Sequence, residues 1–243
     1  MIKKLLGLAI VVGLWFLLHL GLQSPAVPNP FVTIEYTFAN VANFAPHILY
    51  SMMRILLATF FAATIGIGIG VVMGLNSKFD KVASPLVYIL NPIPKVALLP
   101  VFMILFGLNE KPKIILIFSV IVFQYIMSSK DAIADIEKSY FDSVYALGLR
   151  KWGLIRHCVL PAILPSIFTS LRVSFGVSLA ILFFAENFST KFGMGYSIMN
   201  SYAMANYHSM YAGILILSLL GLVIYSIIDI IEHYVCPWLV KNS

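Results

Sequence analysis

Residues 58–75 read ATFFAATIGIGIGVVMGL, eighteen consecutive residues without a charged side chain. A helix needs about 20 apolar residues to cross the roughly 30 Å hydrocarbon core of a bilayer, so the stretch predicts most of a membrane span. Gly66, Gly70 and Gly74 recur at every fourth position and would lie on one face of that helix. Glycines on one face let a second helix approach closely, and no Lys-Ser/Thr pair follows them as a phosphate-binding loop requires.

Composition extends this prediction to the whole chain. The 243 residues are 60% hydrophobic and only 11% charged, against roughly 25% charged residues in soluble domains. We therefore predict an all-α integral membrane protein with a single transmembrane domain over residues 1–243. Apolar runs predict six transmembrane helices, at about 5–22, 48–75, 83–107, 113–129, 161–185 and 209–231.

The first run leaves two interpretations open. Small residues in the triplet SPA at 24–26 lie where a signal peptide could be cleaved. Pro25 lies inside that triplet and the apolar run is long, and both features favour an uncleaved anchor.

Basic residues predict the orientation, because cytoplasmic loops are enriched in Lys and Arg. If the N-terminus and every second loop face the cytoplasm, ten basic residues lie inside and three lie outside. The inside residues are Lys3, Lys4, Lys78, Lys81, Lys130, Lys138, Arg150, Lys151, Arg156 and Lys241, and the outside ones are Lys111, Lys113 and Lys191. Both termini are therefore predicted to be cytoplasmic, and the net charge of +6 is attributed to topology and not to nucleic-acid binding.

Charged residues inside predicted spans are usually functional or paired. Arg54 is expected near the outer end of the second span, where its side chain can snorkel, and Glu186 is expected to cap the outer end of the fifth. Arg172 follows Pro161 by eleven residues, which predicts a position near mid-membrane. One hypothesis is that Arg172 and Glu186 meet other helices or line a translocation path, and the other is that they form local structural ion pairs.

The third predicted span contains Pro92, Pro94 and Pro100. Each proline removes a backbone donor, and the freed carbonyls are tolerated in a membrane only against protein or a watery cavity. The helix is therefore predicted to face the protein interior, either as a kinked structural helix or as a lining of the translocation path. The candidate path residues are Arg54, Pro94, Pro100, Arg172 and Glu186.

Residues 140–166, YFDSVYALGLRKWGLIRHCVLPAILPS, differ from every predicted span because basic residues and a glycine interrupt them. Apolar residues recur at helical spacing between Phe141 and Val159, which predicts one apolar face. Gly148 predicts a turn between two short helices. One interpretation is a basic amphipathic helix that rests on the anionic inner leaflet.

The same residues carry a resemblance to a known family. Asp142-Ser143-Val144, three residues, Gly148, nine residues and Cys158-x-Leu160-Pro161 resemble the E-A-A-x3-G-x9-I-x-L-P signature of ATP-binding-cassette (ABC) importer permeases, with Asp, Ser-Val and Cys in place of Glu, Ala-Ala and Ile. Three further stretches resemble the nitrate, sulfonate and taurine branch of that family. They are HILYSMMRILLATF at 47–60, PLVYILNPIPKVALLPVFMILFGLNEKPK at 85–113 and FFAENFSTKFGMGY at 183–196, together with SLR at 170–172.

The resemblance implies a permease with a cytoplasmic coupling helix at 140–157, between spans four and five, that docks on an ATPase subunit. Its implied docking residues are Phe141, Asp142, Ser143, Val144, Tyr145, Gly148, Trp152, Cys158, Leu160 and Pro161. The implied assembly has two copies of this chain, two cytoplasmic ABC ATPase subunits and an extracytoplasmic solute-binding protein in a bacterial inner membrane. The implied solute is small, such as nitrate, a sulfonate, taurine or a vitamin precursor.

The chain itself is not expected to be an enzyme, because no Walker-type loop, H-E-x-x-H or G-x-S-x-G motif is present. The resemblance implies that ATP and Mg²⁺ bind the partner ATPase and that this chain needs no cofactor or metal. Two alternatives remain open on composition: a secondary transporter or channel that works without ATP, and a membrane scaffold whose amphipathic segment recruits a partner.

Overall fold

The computed structural model describes residues 2–146, 148 and 152–238, and within these ranges it contains helices and no strand. The α-helices are α1 (Ile2–Leu22), α2 (Pro30–Leu75), α3 (Ser77–Leu90), α4 (Leu99–Phe106), α5 (Lys111–Ala134), α6 (Lys138–Ala146), α7 (Trp152–Leu154), α8 (Leu160–Ala185), α9 (Met194–Ala203) and α10 (Tyr207–Val235). A 3₁₀ turn, Lys95–Leu98, precedes α4, and a π-helical stretch, Ile155–Val159, joins α7 to α8. The predicted all-helical class is confirmed.

Four helical segments are long and apolar enough to cross a membrane: α2, α5, Trp152–Ala185 and α10. A fifth candidate is the pair formed by α3 and Lys95–Phe106, which meet at a bend of 79°. In α1 the apolar part Ala9–Leu22 is shorter. The protein is therefore a multi-pass membrane protein with four or five clear apolar spans.

Helix α2 is longer than the predicted second span. It begins at Pro30 and not near residue 48, and Pro46 lies inside it without ending it. Polar side chains in the added turns bond within the helix: the Thr37 hydroxyl donates to the Thr33 carbonyl at 2.7 Å, and the Asn40 amide donates to the Tyr36 carbonyl at 2.9 Å. Because these polar groups are satisfied within the helix, the polar-aromatic stretch can be helical.

The described residues fall into two compact units. Unit 1 comprises those within Met1–Met52 and Glu186–Leu220. Its core is built around Phe44, Met194, Ala212 and Ile216. The Trp15 ring also stacks on that of Tyr211, with centroids 5.1 Å apart, so α1 packs on α10 within this unit.

Unit 2 comprises the described residues within Met53–Ala185 and Gly221–Ser243. Its centre is the packing of α5 on α2 and α8, with Leu116, Ile117, Ile163 and Leu182 fully buried. The glycine face of α2 lies against α5, as the spacing predicts. A Cβ atom added at Gly70 would lie 2.5 Å from the Ile126 carbonyl oxygen, and one at Gly66 would lie 2.7 Å from the Tyr125 Cβ.

The contact between α2 and α5 can be tested with two neighbouring glycines. Gly70→Ala is expected to force the helices apart, because the new methyl group meets backbone, and to cost roughly 1–3 kcal/mol of unfolding free energy. Gly68→Ala is the matched control, since nothing lies within 4 Å of its added Cβ. The measurement is the unfolding temperature of each purified variant in lipid nanodiscs. Equal unfolding temperatures for the two variants would contradict the packing of α2 on α5.

Candidate functional site

The predicted coupling segment forms two helices separated at Gly148. Helix α6 ends at Ala146, and α7 begins at Trp152. Gly148 has φ of +77°, a backbone conformation that glycine adopts without steric cost, and its N–H donates to the Tyr145 carbonyl at 2.9 Å. Leu147 and residues 149–151 of the predicted segment, with the basic residues Arg150 and Lys151, lie outside the described residues.

Helix α6 turns part of its predicted docking face inward. Phe141 and Val144 are half-buried and pack against the cluster formed by Leu154, Cys158, Val159 and Ile163, together with Val71 and Ile133. Ser143 faces solvent and donates to the Ser139 carbonyl at 2.8 Å. The inner face of α6 thus attaches the segment to its own chain.

The outer face of the segment carries exposed aromatic side chains. Tyr140 is 63% exposed, Tyr145 is 51% exposed and Trp152, on α7, is 68% exposed. Asp142 is also exposed, between the tyrosines. Large aromatic side chains with this much free surface, beside a carboxylate, are typical of protein contact sites.

The segment joins α8 without a break in helical structure. Trp152–Ala185 is continuous over 34 residues, with the π-helical stretch at 155–159 inside it. Cys158 is buried there, Leu160 begins α8, and Pro161 directly follows the π-helical stretch inside the continuous helix, where it removes one backbone donor. A cavity of about 640 Å³ lies beside this junction, between the end of α5, α6 and the start of α8, with Asp135, Glu137 and Trp238 in its lining.

Arg54 does not snorkel, which corrects the prediction made from its place in the span. Its side chain is fully buried, and its guanidinium pairs with the Glu110 carboxylate just before α5. The longer α2 explains the difference, because Arg54 lies in the middle of a 46-residue helix and not near its end.

Arg172 joins α8 to α10 inside unit 2. Its Nε donates to Asp229 Oδ1 at 2.9 Å, and a terminal nitrogen pairs with Glu232. The Tyr225 hydroxyl donates to the Arg172 carbonyl at 3.0 Å. Arg172 thus contacts another helix through ion pairs, which fits both hypotheses stated from the sequence, and its two acidic partners lie within the last two turns of α10. The sequence analysis missed them, although carboxylates three residues apart near the end of an apolar span are a signal for a buried cation.

Glu186 directly follows α8 and is fully buried in unit 1. Its carboxylate accepts hydrogen bonds from the Ser51 hydroxyl at 2.7 Å and the Gly195 N–H at 2.8 Å. Ser51 in turn accepts from the Met194 N–H at 2.8 Å, and His47 bonds Gly193. Glu186 therefore anchors the loop that precedes α9 on α2.

Pro94 and Pro100 flank the 79° bend of the third predicted span. Pro94 precedes the 3₁₀ turn and Pro100 lies in the first turn of α4, and both are exposed. The flanking helices are largely exposed within this chain, with Tyr88 at 82% and Ile104 at 83%. The prediction that this helix faces the interior of the protein stays a prediction, because the described residues of this chain alone do not cover it. The prolines break the span, and the shorter helices leave their apolar faces uncovered by the rest of the chain.

No group of three His, Cys, Asp or Glu residues within the described ranges is arranged to hold a metal ion. Cys158 and Cys236 are both buried free thiols.

Comparison with known proteins identifies the family. A family model described as "Binding-protein-dependent transport system inner membrane component" matches residues 63–235, more than half of the chain. The putative aliphatic sulfonates transport permease protein SsuC of Bacillus subtilis (strain 168) is 28% identical, over 99% of this chain and 88% of the relative. The taurine transport system permease protein TauC of Escherichia coli (strain K12) is also 28% identical, over 95% of this chain and 87% of the relative.

A solved structure supports the fold. One chain of the inward-facing MetNI methionine ABC transporter superposes with a TM-score of 0.70, at 17% identity, and the match covers 79% of this chain and 95% of that one. The chain therefore belongs to the family of binding-protein-dependent transport system inner membrane components, the permease subunits of ABC importers.

Proposed function

We propose that this chain forms the translocation path of an ATP-driven importer for a small solute and couples that path to a cytoplasmic ATPase through α6 and α7. The observation that carries the proposal is the exposed aromatic face of Tyr140, Tyr145 and Trp152 beside the positive-φ turn at Gly148. In the proposed assembly, two copies of the chain meet two ATPase subunits, which bind ATP and Mg²⁺, and an external binding protein delivers the solute.

The proposed topology has six spans in one transmembrane domain, with α1 as the first and the bent pair of α3 and Lys95–Phe106 as the third. Both termini and α6 face the cytoplasm in this arrangement, which the ten-to-three distribution of basic residues supports. The chain then presents α6 on the side of the membrane where ATP is available.

The coupling role follows from how α6 and α7 are attached. Phe141 and Val144 fix α6 on the core cluster, and the helix from Trp152 to Ala185 continues without a loop. A rigid attachment transmits the displacement of a partner to α8, whereas a flexible loop would absorb it. We assign contact with the ATPase to Tyr145 and Trp152, with Asp142 setting orientation. The remaining signature residues, Ser143, Gly148, Cys158, Leu160 and Pro161, shape the turn and its junction with α8.

From the relatives we propose a class of solute and no single compound. The similar permeases are named for aliphatic sulfonates, taurine, formylaminopyrimidine and bicarbonate. All are small polar solutes, and we propose a small polar solute here.

ATP-driven uptake is the experiment that separates this function from a gradient-driven transporter and from a scaffold. Vesicles would contain this chain with the ATPase and binding protein encoded in the same gene cluster, and labelled taurine, ethanesulfonate, nitrate and bicarbonate would be offered in turn. We expect uptake that requires ATP and stops with vanadate. Uptake that persists without ATP under an ion gradient would support a secondary transporter, and absence of all uptake would support a scaffold.

Truncating the exposed aromatics is expected to weaken binding of the ATPase. Tyr145→Ala and Trp152→Ala should each lower the affinity about 30-fold, the effect of losing an interface residue that carries about 2 kcal/mol, and the double variant should lower it on the order of 10³-fold if the losses add. Tyr234→Ala is the control, because this tyrosine is 77% exposed on α10 and lies outside the segment. Titration of the solubilised chain with purified ATPase gives the dissociation constants, and an unchanged constant for the double variant would exclude the proposed contact.

Variants of Arg172 test whether this residue serves folding or the translocation path. Arg172→Gln alone is expected to reduce assembly, because Asp229 and Glu232 are left as neighbouring carboxylates without their cation. Combining it with Asp229→Asn and Glu232→Gln removes the repulsion and should restore the yield of monodisperse complex. If the triple variant also restores uptake, Arg172 is a structural residue; uptake lost in a well-assembled complex assigns it to the path.

A further inference from the structure

Lys95 is a buried cation at the bend between α3 and α4. It begins the 3₁₀ turn, and only 8% of the residue is exposed. Its Nζ donates to the Asn91 carbonyl at 2.6 Å and lies 4.5 Å from the centroid of the Phe123 ring on α5. Because Asn91 precedes the turn by four residues, the ammonium group lies back over the break in the helix.

The charge of Lys95 has no acidic partner among the residues that the structure describes. Arg54 and Arg172 each pair with a carboxylate, and Lys130 pairs with Asp80 at 2.7 Å. An ammonium group has three N–H donors, of which the Asn91 carbonyl takes one while the Phe123 ring face attracts the charge weakly. Burying an unpaired charge is costly, so an arriving anion would gain strongly from contact with Lys95.

A helix N-terminus lies at the same place. The helical segment Lys95–Phe106 starts at the bend, and the Ala97 N–H is satisfied by the Pro94 carbonyl at 2.9 Å. For the N–H groups of Lys95 and Val96 the structure gives no hydrogen-bond acceptor within the described ranges. N–H groups at a helix start favour anions through their direction and through the helix dipole. Residues 91–94, which directly precede these N–H groups, are exposed.

We propose that the bend at 91–98 is an anion-binding site of the translocation path, and that the transported solute presents a small oxyanionic group to Lys95 as it passes. The inference rests on the proposed importer function. The Lys95 ammonium supplies the charge, and the free N–H groups of Lys95 and Val96 supply hydrogen bonds to the oxyanion. The Phe123 ring covers one side of the ammonium group.

Anion binding is measured first, on the complex of this chain with its ATPase and without the binding protein. The probe is sodium ethanesulfonate, and the neutral sulfone ethyl methyl sulfone is the matched control, at an ionic strength held constant with sodium chloride, whose anion is not an oxyanion. Ligands that bind the folded state raise its unfolding temperature with concentration. We expect ethanesulfonate to raise it for the native complex and for Lys95→Arg, and to leave Lys95→Met unchanged, whereas the sulfone has no effect on any of them. The absence of an ethanesulfonate effect on the native complex overturns the proposal.

Transport is measured second, in vesicles that contain the binding protein. The panel of labelled probes is ethanesulfonate, taurine, nitrate, bicarbonate, ethyl methyl sulfone and choline. We expect an anionic or zwitterionic probe to be taken up, and Lys95→Met to lower its uptake at least about tenfold, the loss of one charged hydrogen bond. Lys81→Met is the control, because Lys81 is exposed on α3. Lys95→Arg should retain part of the uptake, since it keeps the charge.

Different results would refute the anion site and the importer function. If native vesicles take up a probe with ATP but Lys95→Met matches Lys81→Met, or if only the sulfone or choline enters, the anion site is refuted and the importer function stands. If native vesicles show no vanadate-sensitive uptake, the importer function fails. The titration with ethanesulfonate contains no ATP and still tests the site in that case. Methionine fits the apolar surroundings of Lys95, so the variant is expected to assemble.

Discussion

Two guanidinium groups inside apolar helices require carboxylates, and this requirement ties the helices of unit 2 together. Arg54 on α2 pairs with Glu110 before α5, and Arg172 on α8 pairs with Asp229 and Glu232 on α10. In a lipid-exposed helix an isolated charge costs several kcal/mol. Each pair therefore specifies which helix lies next to which. A hydrophobic surface alone cannot do this in a membrane, because lipid tails are as apolar as the side chains.

Close backbone packing also specifies which helices are neighbours, independently of the ion pairs. The glycine face of α2 accepts α5 at a distance that any larger residue would increase, and α5 packs on α8 over most of its length. The segment from Trp152 to Ala185 is one continuous helix, so the residues that begin it move with those that pack on α5. Rigid elements of this kind suit a subunit that is proposed to convert the closure of a cytoplasmic ATPase into a change of access across the membrane.

The sequence was sufficient for features that depend on local patterns. The all-helical class and the packing face of Gly66 and Gly70 follow from apolar length and four-residue spacing, and the turn at Gly148 follows from a single glycine in an amphipathic run. It was insufficient where a property depends on a distant residue. The burial of Arg54 depends on a helix that starts at Pro30 and on Glu110, which is 56 residues away in the chain.

The shape of the third predicted span also depends on residues that are distant in the chain. Three prolines predicted a kink, yet they allow either a bent helix inside the bundle or a break of 79° with exposed flanks, and the choice depends on what packs beside them. The partners Asp229 and Glu232 were missed because a carboxylate near the end of a span is interpreted as a solvated group unless its cation is known. Tertiary contacts, and not helix propensity, decide both cases: packing in the third span and charge pairing for Asp229 and Glu232.

The central claim is that α6 and α7 bind an ATPase subunit, and site-specific photocrosslinking in native membranes tests this contact most directly. A photoreactive phenylalanine analogue replaces Tyr145 in one strain and Tyr88, which is 82% exposed on α3, in another. The account predicts that the crosslinker at position 145 joins the chain to the ATPase subunit, that vanadate with ATP changes the yield, and that position 88 gives no such product. A crosslinker at position 145 that reacts only with lipid, in membranes where the ATPase is present, would contradict it.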